Sequence, residues 1–162
     1  MRVRILTLSV AIVLMSGFTL AQDAKPAAKE PAARHAVVTP DQLIWKPLIP
    51  GVESAVVYGD PDKKGSVYVI RIRSKGDAKV PPHWHVTEEH VTVLAGSFLL
   101  AHGDTYDAAK LIELKVGTHS VIPATMPHFG LHKAGNVVEV YGEAPFVANF
   151  VNPEDDPNRA KK

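Results

Sequence analysis

The sequence predicts a small all-β domain of the sandwich or barrel kind. Three observations carry that prediction. Short runs rich in Val, Ile, Tyr and Phe recur along the chain; thirteen prolines and eleven glycines in 162 residues separate them; and long helical periodicity is missing. A chain of this length holds one compact domain, alone or with tails.

Taken in order, residues Met1 to Ala21 have the form of a secretory signal peptide. Arg2 and Arg4 give a basic start, Ile5 to Leu20 is almost wholly apolar and uncharged, and Thr19-Leu20-Ala21 puts small residues where a signal peptidase cuts. The run is shorter than the roughly 20 apolar residues of a spanning helix and includes Ser9, Ser16, Gly17 and Thr19, so cleavage after Ala21 is expected rather than retention in a membrane. The expected location is periplasmic or secreted. Gln22 to about Ala36 is rich in Ala, Pro and Lys and poor in large apolar residues, the composition of a flexible tether. The folded domain is placed at 37–153, followed by a polar, loose tail at 154–162.

Within the domain, Val56-Val57-Tyr58 precedes the turn Gly59-Asp60-Pro61-Asp62-Lys63-Lys64-Gly65. Ser66 to Arg73 then alternates, with Tyr68, Ile70 and Ile72 on a core face and Arg71 and Arg73 outward. Further strands are expected at His90–Ala95, Ser97–His102, His119–Ile122, His128–His132, Asn136–Tyr141 and Phe146–Val151. Thr105 to Leu111 alone reads as helical, and briefly.

Charge and composition exclude several functions. With 18 Lys+Arg against 17 Asp+Glu, there is no electrostatic case for nucleic acid or an acidic membrane surface. The lack of cysteine removes disulfides, thiol nucleophiles, iron–sulfur clusters and thiolate zinc sites.

The chemistry lies in two histidine-bearing segments. In Val80-Pro-Pro-His83-Trp84-His85-Val-Thr-Glu88-Glu89-His90, His83 and His85 share a strand face, and Glu89 joins them by parity if the segment stays extended. Glu88 and His90 have the opposite parity, and Trp84 points away between the ligands. Two imidazoles and a carboxylate converging on one face form a divalent-metal arrangement. The second segment, Gly117 to His132, offers His128 from a separate strand. His132 shares its parity, as a hydrogen-bond partner behind the ligands, a general base, or a histidine on the cavity rim. His35, His102 and His119 have no supporting neighbours in sequence and are expected to be solvated.

These residues resemble the two motifs of the cupins, double-stranded β-helix barrels of the jelly-roll type. Gly76, His83, His85, Glu89 and Gly96 follow the first motif, with one extra residue before His83; Gly117, Pro123 and His128 follow the second. Thr125 stands where the second motif has glycine, and His132 where it has asparagine. The resemblance covers roughly Val52 to Val151 and is nearest to small exported bacterial cupins. It implies one divalent ion (Mn, Fe, Ni, Cu or Zn) held by His83, His85, Glu89 and His128, with open positions for a small-molecule ligand or substrate. It also allows a homodimer paired through barrel edges. Two classes of function stay open: a metal-dependent enzyme, with oxidoreductase chemistry of the dioxygenase type leading over decarboxylase or isomerase and His132 as the catalytic acid/base, and a non-catalytic binding or sensing barrel.

Overall fold

A computed structural model describes residues 35–157 and residue 159. The expected signal peptide and nearly all of the tether therefore lie outside the described residues. The chain divides after His35, and every described strand belongs to the second unit, 36–162.

Among the described residues, eleven strands build two antiparallel sheets: β1 (Lys46–Ile49), β2 (Val52–Gly59), β3 (Val67–Ser74), β4 (Ala78–Trp84), β5 (Glu89–Ala95), β6 (Ser97–His102), β7 (Ile112–Lys115), β8 (His119–Ile122), β9 (His128–His132), β10 (Val137–Glu143) and β11 (Asn149–Phe150). One sheet runs β1-β2-β3-β10-β5-β8 and the other β11-β4-β9-β6-β7. The fold is all-β, a jelly-roll barrel as expected. The sheet order explains the core. β10 lies between β3 and β5, so Val138 and Val140 pack with Ile70, Ile72, Val91 and Val93, all buried. Removing such side chains from water contributes roughly 1.5–3 kcal/mol each.

Alternation in β3 follows the pattern read from sequence. Tyr68, Ile70 and Ile72 are buried, while Arg71 reaches Glu139 at 3.0 Å and Arg73 reaches Glu53 at 2.8 Å on the outer face. Two expectations fail. Thr105–Leu111 is not a helix; it contains one 3-10 turn, Ala108–Lys110, whose first turn is capped by Asp107 accepting from the Ala109 amide at 2.9 Å. Seven residues cannot recover the cost of nucleating an α-helix without an apolar face to bury. The strand expected at Phe146–Val151 shrinks to Asn149–Phe150, paired with Trp84 and His83.

One irregularity positions the site. In β4, Val80 pairs with Gly130 and His83 with His128, so three steps on β4 match two on β9. The bulge falls at Pro81-Pro82, where neither residue has an N–H to contribute to a ladder. It reverses the parity of the strand. Ala78 and Val80 face inward before it, His83 after it, and one strand thereby supplies both core and ligand.

Candidate metal centre

Four side chains meet in the barrel interior. His83 comes from the end of β4, His85 from the residue after it, Glu89 from the first position of β5 and His128 from the first position of β9. Each is at most 7% exposed. The ligand nitrogens of the three histidines lie within 4.8 Å of one another. Glu89 Oε2 is 3.4 Å from His85 Nε2 and 3.2 Å from His128 Nε2. The premise for Glu89 differs from the sequence argument. The chain bends at Val86–Thr87, so its inward direction is set by the pairing of β5 with β10 and β8 rather than by an unbroken strand from His85.

The tautomers follow from the partners. His83 Nδ1 faces the Pro81 carbonyl at 2.8 Å, His85 Nδ1 the Val147 carbonyl at 2.9 Å and His128 Nδ1 the Met126 carbonyl at 3.0 Å. A carbonyl oxygen only accepts, so each Nδ1 carries the proton and each Nε2 of a neutral ring is a bare lone pair. Burial, together with the neighbouring His128 and His85, holds His83 down at about 3. Burial likewise lowers His85 against the pull of Glu89. For Glu89, burial pushes upward, and His128, His85 and His83 together outweigh it and bring the carboxyl below its usual range.

The result is a cluster of acceptors without a donor. His85 Nε2 and Glu89 Oε2 are buried without any hydrogen-bond partner. Buried polar atoms left unmatched cost about 1–3 kcal/mol each, more when charged. A cation satisfies all of them at once, and imidazole with one carboxylate suits a first-row transition ion. The donor set fits a divalent metal: His83, His85 and His128 can bind it, with Glu89 beside them. Backbone carbonyls hold the far side of each imidazole, which fixes ring orientation.

The three imidazoles and Glu89 line a cavity of about 330 Å³. Most of its wall is apolar, including Val52, Ile72, Val91, Phe98, Leu100 and Ile122. His85 stacks on Phe146, centroids 4.9 Å apart at 15°. His132 lines the same cavity from the far end of β9 and is 4% exposed. Four residue steps along β9 put its Cα about 13 Å from that of His128, toward the other end of the cavity. Between the two, Gly130 is required: a Cβ there would stand 2.7 Å from both the Phe98 ring and the Leu99 carbonyl oxygen.

Sequence reasoning missed Asn136. Its side chain, fully buried, meets His132 Nδ1 at 2.9 Å through Oδ1. Burial lowers the His132 ring, and the Asn136 bond pulls in the other direction. The only signal was position, four residues beyond His132 and directly after Gly135. Thr125, standing where the motif has glycine, adopts the left-handed backbone conformation itself, at φ 63°, and its amide donates to the His85 carbonyl at 2.8 Å. Glu88 and His90 point outward, and the two sit 2.9 Å apart. His119 is exposed as expected, but it does not lack neighbours: it contacts His90 and Thr92 across the β5–β8 pairing.

Residues 33–126 match the ChrR cupin-like domain family. The chain is a cupin of that family. No curated protein sequence matches it. Among solved structures, the polyketide cyclase RemF from Streptomyces resistomycificus superposes with a TM-score of 0.62 at 20% identity, covering 80% of this chain and 94% of its own. An RmlC-like cupin from Shewanella frigidimarina gives 0.55 at 14% identity, over 70% of this chain and 95% of the other. A salicylate 1,2-dioxygenase from Pseudoaminobacter salicylatoxidans, studied with gentisate, gives 0.50 at 16% identity, over 61% of this chain and 26% of the other. At these identities the likeness is one of fold.

Proposed function

We propose that this cupin is exported and that it acts on a small organic molecule at a single divalent metal held by His83, His85, Glu89 and His128, as an oxidoreductase of the dioxygenase type. The carrying observation is the buried group of lone pairs, including the unpartnered His85 Nε2 and Glu89 Oε2, at the wall of a mainly apolar cavity of about 330 Å³. That volume lies at the lower end of small-molecule sites, where an apolar wall provides affinity and a few polar groups set orientation. A bound divalent ion supplies Lewis acidity and, if it is iron, copper, nickel or manganese, redox capacity.

The chain's own residues divide the remaining work. Apolar walls exclude water and grip the body of the ligand. His132, toward the other end of the cavity, exchanges a proton at Nε2 while its Nδ1 stays on Asn136. Because a cyclase and a dioxygenase share this fold, the fold does not choose the reaction; the metal does. Elemental analysis of protein purified from its native compartment, with amino-terminal sequencing, tests the proposal. One redox-active ion per chain and a start at or near Gln22 are expected. A chain without metal, or one retaining Met1 in a membrane, would refute it. A second reading, a non-catalytic binding barrel, draws on the sparse polar complement of the cavity: beyond the four metal-site residues its titratable lining is His132 and Asp156. Tight ligand binding without turnover by the metal-loaded protein would decide for it.

A further inference from the structure

On the reverse side of the strand that carries Glu89, four side chains form one hydrogen-bonded row. Glu88 Oε1 lies 2.9 Å from His90 Nε2, His90 Nδ1 lies 3.3 Å from His119 Nε2, and His119 Nδ1 lies 2.8 Å from Thr92 Oγ1. The sheet register brings them together. Thr92 pairs directly with His119 and His90 with Val121, so the two histidines are diagonal neighbours on one face of β5 and β8. Diagonal positions are about 7–8 Å apart, within the span of two imidazoles. The Tyr141 ring, 4.4 Å away at 11°, stacks on His90 and restricts its plane.

The proton positions in this row are determined at one end. A carboxylate only accepts, so His90 Nε2 carries a proton and the Nδ1 of the neutral ring is a lone pair. His119 then has two choices. It can donate Nε2–H to His90 while accepting from the Thr92 hydroxyl, or shift tautomer, donate Nδ1–H to Thr92 Oγ1 and leave Nε2 bare. The shift moves no net charge and sacrifices only the His–His bond, the longest of the three. What it creates is a pair of bare imidazole nitrogens on two paired strands. Two imidazole nitrogens on one tetrahedral ion, at bond lengths near 2.0–2.1 Å, stand about 3.3 Å apart, the separation found between these two. The distal nitrogens are already engaged by a carboxylate and a hydroxyl, the arrangement that orients metal-bound imidazoles and raises their basicity.

The geometry points to a second, exterior metal site: His90 Nδ1 and His119 Nε2 bind an imidazole-preferring divalent ion, Cu²⁺ more tightly than Zn²⁺, with Glu88 and Thr92 as positioning residues. The order of the two ions follows the general affinity series for nitrogen ligands. Water completes the coordination, because His119 is exposed. Such a site exchanges its ion readily. It shares no ligand with the interior set and does not depend on the function proposed above.

Calorimetric titration of the untagged full chain with Cu²⁺, and separately with Zn²⁺, tests it. The wild type is expected to bind one Cu²⁺ more than His119→Ala. Because His119 is exposed, that variant keeps its fold, which a thermal melt verifies. Thr92→Val should keep the exterior ion but weaken it by about 10–100-fold. His83→Ala should leave the exterior ion in place while depleting the interior one. Equal stoichiometry and affinity in wild type and His119→Ala would overturn the inference, as would loss of the exterior ion in His83→Ala.

Discussion

The two faces of β5 hold the same kinds of side chain in opposite circumstances. Glu89 points inward to three buried imidazoles, whereas its neighbour His90 points outward to Glu88 and His119. The difference lies in what holds the far nitrogen of each ring. Inside, backbone carbonyls hold it, so ring direction is fixed by the strands themselves and the free nitrogens have only each other and a carboxylate. Outside, side chains hold it, and a tautomer shift rearranges the row without moving backbone. Imidazoles held by backbone keep one orientation whatever their neighbours do; imidazoles held by rotatable side chains at the surface do not.

The sharpest way to break the comparison is to exchange the two adjacent carboxylates. Glu89→Gln replaces the only buried anion among the interior ligands with an amide. Metal retention should fall by more than about 100-fold, beyond the range of changes behind the ligands. Glu88→Gln should leave the interior metal content unchanged. Metal per chain under one loading protocol, measured in a His119→Ala background that lacks the exterior ion, gives the answer, and equal losses would mean that the inward assignment of Glu89 is wrong. His128→Ala should likewise yield metal-poor protein.

At the far end of the cavity the expected effects are smaller. His132→Ala should retain the interior ion and lose ligand binding or turnover, since His132 stands toward the other end of the cavity rather than among the ligands. Asn136→Ala should give a milder form of the same defect, about 10–100-fold, because the ring remains while its tautomer is no longer fixed. Metal content and ligand affinity measured together separate the two roles; loss of metal in His132→Ala would place it among the ligands.

Much of this was legible in the sequence, and the exceptions have physical reasons. Alternation in Tyr68–Arg73 marked the core face because its period of two is local. The spacing of His83, His85, Glu89 and His128 marked the interior group because motif spacing survives folding. By contrast, the diproline bulge is visible only against the register of β9. Asn136 and the His90–His119 contact are tertiary: twenty-nine residues separate the two histidines, and only the β5–β8 register brings them together. A helix was read into Thr105–Leu111 because local propensity alone cannot show that no apolar face awaits it.

A wall residue probes the packing that keeps the interior ligands aligned. Gly130→Ala would drive a methyl group to 2.7 Å from the Phe98 ring and the Leu99 carbonyl. Backbone cannot yield cheaply there, because β9 is hydrogen-bonded to both β4 and β6. A loss of about 1–3 kcal/mol is expected, the usual range for overpacking, read as a lowered melting temperature. An unchanged melt would mean that the Phe98 ring rotates away and that the β6 backbone at Leu99 also yields freely.

The smallest effect belongs to the outer face. Arg71 and Glu139 pair at 3.0 Å across β3 and β10, with side chains 23% and 29% exposed. Their attraction is screened by solvent and opposed by the ordering of two long side chains, so such a pair contributes about 0–1 kcal/mol. Arg71→Met keeps most of the aliphatic stem over the sheet and removes only the charge, which isolates that contribution from lost packing. The melting temperature should move slightly or not at all, and less in high salt. Metal content and ligand affinity should both stay at the wild-type level, because Arg71 alternates with Ile70 and Ile72 and faces away from the cavity. A substrate carboxylate anchored by this guanidinium would show itself as a loss of ligand affinity in Arg71→Met with metal content intact, and β3 would then have to present its other face to the cavity.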